Sequence, residues 1–491
     1  MARKRIIENK AALCKPCPTF SRPDTNHPLT HKSNFLLGFP LKAAGGDEIS
    51  WTIEELGGVD LGDARLDSRT LKLADQLCAQ ASRSIPASCG GWSQVKAAYR
   101  YLGNEKVRWE KVLSPHMARS EERAADHPVV LCVQDTTELD FKGRSADGLG
   151  RLSHDAQRGM YLHPTLLVTP DRMPLGVADL WMWARGESKQ ADRDAGSVPE
   201  STRWIEGYER VAEMAGRVPG TRFVYVADRE GDIGALMHRA RTLGTPADWL
   251  VRAVHDRKLC GEDAKLWSGF GEAHRVGKLV FELPRGRGRA ARSVHQDLFV
   301  RRVRIRTQQG EVEATALLAR EQNPPKGTKP VIWKLLSNRE ASSLDDAAEL
   351  IDWYRARWEI EMFFNVLKQG CKVEELQLAA LERIENALAL YVIVAWRVLM
   401  LLRMGRACPA IGCEAFFEPH EWRAAYIVAR QKPPDTPPML DELIHRVAVF
   451  GGFLGRKGDK DPGAKTLWEG LQRLHDFTLA IEAVTESQTC G

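Results

Sequence analysis

The sequence predicts an α/β core flanked by helical modules, and three observations carry that expectation. Two apolar runs of strand length each close on an aspartate: Val129-Val130-Leu131-Cys132-Val133 ahead of Gln134-Asp135, and Phe223-Val224-Tyr225-Val226-Ala227 ahead of Asp228. Helical patterning lies between and around such strands, and that alternation marks an α/β core. A separate block from about Trp249 to Asn338 reads as β-rich, while both ends of the chain are helical. At 491 residues the chain exceeds one ordinary core, so several domains are expected.

The elements follow in order. Residues 1–50 mix Pro, Lys, Asn and Ser without periodicity and read as a loosely ordered extension. Helical spacing starts near Trp51. Leu66, Leu71, Leu73, Ala74 and Leu77 predict one helix, and Ala97, Ala98, Tyr101 and Leu102 another, separated by Pro86 and the Cys89-Gly90-Gly91 turn. This all-α module spans 51–120. The α/β domain follows over 121–405, with strands at 129–133, 161–168, 175–183 and 223–227 and helices from about Ser201 and over Gly234–Leu243. Its β-rich insertion, about 247–340, offers strands at 279–283, 298–307, 312–319 and 331–336. Helices resume at Ser343 and fill a C-terminal region, 406–491, broken at Gly451-Gly452 and Asp461-Pro462-Gly463. The last helix carries a stripe of Leu467, Leu471, Leu474 and Ile481, which either finishes a core or meets a second copy.

Composition excludes whole classes. With 43% hydrophobic and 27% charged residues, the chain is neither disordered nor fibrous. A net charge of +5 does not by itself indicate nucleic acid. The segment Pro284–Arg306 does concentrate Arg285, Arg287, Arg289, Arg292, Arg301, Arg302, Arg304 and Arg306 against Asp297. Such a segment is either a solvated edge or a phosphate-contacting surface. Cys14/Cys17 and Cys408/Cys413 lack the second pair that a zinc site needs, and scattered cysteines fit a reducing, cytoplasmic compartment. The apolar run 387–402 is interrupted by Arg397 and followed by Arg403, which predicts a buried core helix rather than a membrane span.

Chemistry points to three carboxylates. Asp135 and Asp228 stand where ligands bind an α/β sheet, at the C-terminal ends of strands. Either alone could be a turn-capping aspartate. Asp140, Glu230 and Asp232 are of the right type but displaced from a strand end. The third comes from helix geometry. Over Asp352–Lys368, at about 100° per residue, Tyr354, Arg357, Glu361 and Lys368 share a sector of roughly 60°. Trp353, Ala356, Ile360, Phe363 and Leu367 form the adjoining packed face, and Glu359 points elsewhere. A solvated salt-bridge face is the plain alternative, but it requires no tyrosine in the row. Three carboxylates from separate segments can hold two Mg²⁺ ions for an in-line phosphoryl displacement, with Arg and Lys on the flanking phosphates.

The stripe resembles the Tyr-(2)-Arg-(3)-Glu-(6)-Lys signature of the insertion-sequence-four family of bacterial DDE transposases. Asp135-Thr136-Thr137 and Asp228-Arg229-Glu230-Gly231-Asp232 resemble that family's two aspartate motifs. Leu61-Gly62-Asp63-Ala64-Arg65-Leu66 and Ala97-Ala98-Tyr99-Arg100-Tyr101 resemble its N-terminal module, and Gly452–Lys457 with Lys465–Trp468 its C-terminal region. The likeness runs through about residues 50–485. It implies an RNase H-like catalytic core with Asp135, Asp228 and Glu361 as catalytic metal ligands, and two Mg²⁺ ions that Mn²⁺ can replace. It also implies cut-and-paste movement through a DNA hairpin by a homodimer on double-stranded DNA, with no membrane partner. DNA contacts are expected from Tyr354, Arg357 and Lys368 and, in the helical module, from Arg65, Arg69, Lys96, Tyr99 and Arg100. Trp333, at the family's spacing before Tyr354, is expected to stack where a base flips out, although Val331, Trp333 and Leu335 also alternate like a core strand. A nuclease of the same fold without strand transfer, and a domesticated DNA-binding protein without catalysis, are the alternatives.

Overall fold

A computed structural model describes residues 51–489 apart from 144–145, 155, 187–198, 263, 269, 272–273, 284–289 and 460. The expectations for residues 1–50, Cys14, Cys17, Arg285, Arg287 and Arg289 fall outside the described residues. In chain order the main elements are α1 (Trp51–Leu56), α2 (Ala64–Ala79), α3 (Ile85–Ser88), α4 (Trp92–Leu102), α5 (Trp109–Ala125), β1 (Val129–Gln134), β2 (Thr137–Asp140), β3 (Gly150–Arg151), β4 (Arg158–Val168) and β5 (Pro174–Trp183). Next come α6 (Glu200–Arg217), β6 (Arg222–Ala227), α7 (Gly234–Thr242), β7 (Asp248–Arg252), β8 (Arg275–Leu283), β9 (Arg292–Arg306), β10 (Glu311–Glu321) and β11 (Ile332–Ser337). The chain ends through α8 (Leu344–Ala356), α9 (Trp358–Asn365), α10 (Leu381–Ala407), α11 (Pro419–Val428), α12 (Leu440–Phe450) and α13 (Ala464–Thr489). They form two compact units. One holds Trp204–Glu213 and Val224–Arg355. The other holds the described part of Asn34–Arg203 together with Met214–Phe223 and Ala356–Gly491.

In the larger unit, α2 starts where Asp63 accepts the Arg65 amide, an N-cap, and it buries Thr70, Leu73, Ala74 and Leu77. α4 buries Val95, Ala98, Tyr101 and Leu102 against it, and the Thr70 and Tyr101 hydroxyls meet at 2.7 Å. The helical run does not stop near Ser120 as the sequence suggested; α5 continues to Ala125 because its inner face is tied down. Arg123 reaches the Glu55 carboxylate at 2.9 Å and the Leu175 carbonyl at 2.5 Å, and His116 Nε2 accepts the Val177 amide at 3.0 Å. Burial alone would raise the Glu55 pKa, but Arg123 and His116 overcome it and hold the carboxyl at about 2. At Gly176, φ is +147°, and a Cβ would lie 1.8 Å from Ser120 Oγ, so only glycine lets β5 approach α5.

The strands of this unit gather on β4, all antiparallel. β1 and β2 run along one side of it, Leu131 opposite Val168 and Thr137 opposite Leu162, with a break at Asp135-Thr136. β5 pairs along the other side, Tyr161 opposite Trp183. The expected core helix is α10, apolar around its circumference, with 94% of its most apolar stretch buried. Asn386 on it donates to the Leu102 and Val107 carbonyls, and Trp396 donates to the Pro174 carbonyl. In the stripe of α13, Leu467 and Leu474 are core and Leu471 and Ile481 half-buried, while Leu479 and Val484, off the stripe, are exposed.

The smaller unit carries a sheet in the order β6-β7-β11-β10-β9-β8. β6 and β7 are parallel, joined through α7, and the rest are antiparallel. The strands read as an insertion, β7 to β11, continue the sheet that β6 begins: β7 pairs with β6, Val226 opposite Leu250, and β11 with β7, Leu336 opposite Val251. Four of the described arginines of the basic segment have carboxylate partners in this unit, two closely and two at the exposed surface. Arg292 pairs with Glu321, Arg301 with Glu262 at 2.5 Å, Arg302 with Glu313 at 3.7 Å and Arg304 with Glu311 at 3.8 Å.

Candidate active site

Asp135 occupies the break between β1 and β2, where β4 loses one partner strand before gaining the next. It is 2% exposed, and a carboxylate so deeply buried needs a cation or several donors. It receives both. The Thr136 amide donates to Oδ1 at 2.9 Å, and Arg357 Nη1 donates to Oδ2 at 2.9 Å. The other arm of the same guanidinium, Nη2, reaches Glu361 Oε1 at 3.4 Å. Arg357 thus brings two of the expected carboxylates around a single positive charge, 222 residues apart in the case of Asp135. Beneath Asp135 lies a polar chain that sequence reasoning missed. His163 takes the Thr136 hydroxyl at Nδ1 (2.9 Å) and faces Gln134 at Nε2 (3.2 Å), and Gln134 donates to Thr165 (2.6 Å). The alternation of β4 could have shown which of its residues share the face of His163, but not that three of its neighbours are polar.

The helix through Glu361 is not the single helix expected over 352–368. Regular helix pauses at Arg357, between α8 and α9, and widens to a π-turn over Val366–Gly370. The constant 100° phase therefore fails beyond Asn365, and Lys368 is placed by the wider turn. Its amine donates to the Glu138 carbonyl and lies 3.9 Å from Glu374. Burial pushes the Lys368 pKa down, while Glu374, Glu138 and Glu361 oppose that. The packed face is as expected, with Ala356, Ile360, Phe363 and Leu367 buried. Glu359, set aside as pointing elsewhere, is 2% exposed and held by Arg403 of α10. It anchors the helix rather than facing solvent.

In the smaller unit Asp228 ends β6 and caps the turn Arg229–Gly231, its Oδ1 accepting the Glu230 amide at 2.8 Å. It is half-buried. Gly231 is required at this turn, since a Cβ would fall 2.4 Å from that of Ala227. Asp232, the neighbouring alternative, is consumed structurally: it accepts the Val254 and His255 amides and pairs with Arg257 at 2.5 Å. Glu230 is exposed. In the larger unit Asp140 is likewise engaged, by the Lys142 amide and the Gln157 side chain. Tyr354 is 6% exposed. Trp333, on β11, is half-buried, its ring stacked on Phe281 at 5.4 Å and 16°, with Arg355 5.3 Å from the far ring.

The N-terminal basic residues lie on α2 and α4 as expected. Arg65 is exposed and paired with Asp63, and Arg69 donates to Gln94 at 2.6 Å. Lys96 and Arg100 are exposed, Tyr99 is half-buried, and burial raises its phenol pKa.

Carboxylate oxygens are the donors that hard divalent cations take, so Asp135 and Glu361, already sharing one cationic partner, fit such an ion chemically. Among the described residues, no group of three or more His, Cys, Asp or Glu stands ready to hold a metal.

Three family models match the chain: a transposase DNA-binding domain over residues 48–107, a transposase DDE domain over 263–397, and the transposase Tn5 dimerisation domain over 393–489. The chain is a DDE transposase with the domain set of the Tn5 type. It is a metal-dependent DNA-cleaving enzyme that binds DNA through its N-terminal helical region and dimerises through its C-terminal one. Its DDE match takes in Arg357, Glu361 and Lys368. A solved structure described as a piggyBac transposase synaptic complex with hairpin DNA aligns over 91% of this chain and 81% of that one, at 11% identity and a TM-score of 0.35, too slight a likeness to bear on mechanism.

Proposed function

We propose that this transposase is an insertion-sequence-four enzyme that cuts its element free through a hairpin and joins it to target DNA. Asp135, Asp228 and Glu361 are its catalytic carboxylates. The observation that supports this best is the Arg357 bridge, because it marks Asp135 and Glu361 as one electrostatic site. Two Mg²⁺ ions, when bound, would supply activation of the attacking oxygen and stabilisation of the leaving one. The chain's own groups do the positioning. The chain Thr136–His163–Gln134 fixes the strand end that carries Asp135. Glu359, gripped by Arg403, fixes the helix that carries Glu361. Tyr354, Arg357 and Lys368 serve the flanking phosphates.

In this reading, water attacks a phosphodiester at the element's end and releases a 3′-hydroxyl. That hydroxyl attacks the opposite strand, forming a new P–O bond and expelling the flanking strand's 3′-oxygen, so the element's end closes as a hairpin. A second water reopens it, and the 3′-hydroxyl then attacks target DNA. Trp333 receives a base displaced at the sharp bend. Flipping costs a few kcal/mol, and stacking returns about 1–3 kcal/mol. Residues 51–120 recognise the ends. The exposed half of α13 helps pair two DNA-bound subunits in the cytoplasm.

The test is a time course of nicked, hairpin and double-strand-break products on end-labelled DNA. Trp333→Ala should leave the nick and slow hairpin formation by roughly ten- to a hundredfold. Arg357→Ala should slow both. Equal loss of both steps in Trp333→Ala would return Trp333 to a packing role, and release of breaks without any hairpin would overturn the route. A precleaved end that is never joined would favour the nuclease alternative.

A further inference from the structure

Trp92 opens α4 and is 71% exposed, the highest value for a large hydrophobic side chain among the described residues. Isolated apolar side chains on a surface need no explanation, but the company of this one is unusual. At about 100° per residue, Trp92, Lys96, Tyr99 and Arg100 share a sector of roughly 100° on the face opposite Ala98 and Tyr101. Lys96 Nζ lies 5.1 Å from the indole centroid, so the ring is held beside a cation rather than folded onto the core. Behind this face Arg69 is tied to Gln94. Ahead of it, Gly90 takes φ +65° with open space around it, and a Cβ at Gly91 would likewise meet nothing within 4 Å. The backbone at the start of α4 is therefore bare. A flat apolar ring framed by cations, with bare backbone beside it, suits a polyanion that also offers apolar edges. DNA does so through phosphates, sugars and thymine methyl groups.

We infer that Trp92 is a direct DNA contact of the N-terminal module, its indole packing on sugar or base edges while Lys96 and Arg100 take the adjoining phosphates. This rests on the reading that residues 51–120 recognise the element's ends, and it adds a residue of different chemistry to that reading.

The experiment uses the full chain and a labelled duplex that the wild-type chain has enriched from a random-sequence pool. Trp92→Ala should weaken binding by about tenfold, and Trp92→Phe by no more than about threefold, since an aromatic face is what the contact uses. An indole displaces no counterions, so the dependence of affinity on salt should keep its slope in Trp92→Ala. In Lys96→Ala the slope should fall by about one. The melting midpoint should not move in any of the three. Wild-type affinity in Trp92→Ala overturns the inference, as does a loss of affinity that comes with a lower melting midpoint. A wild-type chain that enriches no sequence brings down the end-recognition reading itself, and this inference with it.

Discussion

Asp135 and Asp228 look alike in the sequence and differ in the fold. Each follows an apolar strand. Asp135 is buried and leans on a guanidinium delivered from the α8–α9 junction, more than two hundred residues away. Asp228 is half-buried and makes a local turn bond to the Glu230 amide. The same local signal thus yields one aspartate that the tertiary structure has to neutralise and another that the turn itself supports. The proposed catalytic role and the structural role coincide at Asp135, and they are separable at Asp228.

The largest effect should not distinguish the two. Asp135→Asn, Asp228→Asn and Glu361→Gln should each reduce nicking of end DNA by roughly a thousandfold or more, while DNA binding survives. Near-normal cutting by any one of them removes that residue from the catalytic set.

A second experiment asks how strongly this fold depends on a carboxylate held by a guanidinium, using Glu55, which lies outside the proposed catalytic set, as the counterpart of Asp135. Its folded pKa of about 2 lies below the ordinary 4.5. Its stabilisation is therefore complete above the ordinary value and disappears as pH falls toward 2. Glu55→Gln should cost about 3 kcal/mol at neutral pH, and the gap to wild type should close as the pH is lowered from about 5 to 2. A gap that stays constant with pH would show that packing, not charge, makes the clasp.

The comparison is sharpest in stability. Asp135→Asn leaves Arg357 without its buried anionic partner and should cost about 1–3 kcal/mol. Asp228→Asn can keep the turn bond and should stay within about 0.5 kcal/mol. Equal losses in thermal melts would erase the distinction between the two aspartates.

The smallest effect extends the contrast to surface charge. Arg302 and Arg304 are exposed but face Glu313 and Glu311 across the strands, whereas Lys96 and Arg100 are exposed on α4. Lys96→Ala combined with Arg100→Ala should lower the salt dependence of DNA binding by about two. Arg302→Ala combined with Arg304→Ala should change it by less than about half a unit. The reverse result would move the DNA surface to the edge strands.

Some features were legible because their cause is local. Apolar runs of strand length marked β1 and β6, and with them the carboxylates at their ends, since a short run rich in β-branched and aromatic residues suits a strand buried on both faces. Periodicity placed α2, α4 and the packed face Ala356, Ile360 and Phe363. The apolar girth of 387–402 announced α10, because a helix with no polar face has to be surrounded. Other features depend on what arrives from elsewhere in the chain. Nothing near Arg357 says that it reaches Asp135, nothing near Glu359 foretells Arg403, and the π-turn at Val366–Gly370 shifts Lys368 off the phase that uniform geometry assigns. The arginines of β9 looked free in one dimension because their glutamates lie on neighbouring strands or a distant loop. Sequence by itself determined which segments become strands and helices and which carboxylates end them, because burial and periodicity act over a few residues. Only the tertiary structure decided which charges are spent on each other, because pairing requires groups distant in the chain to meet within a few ångströms.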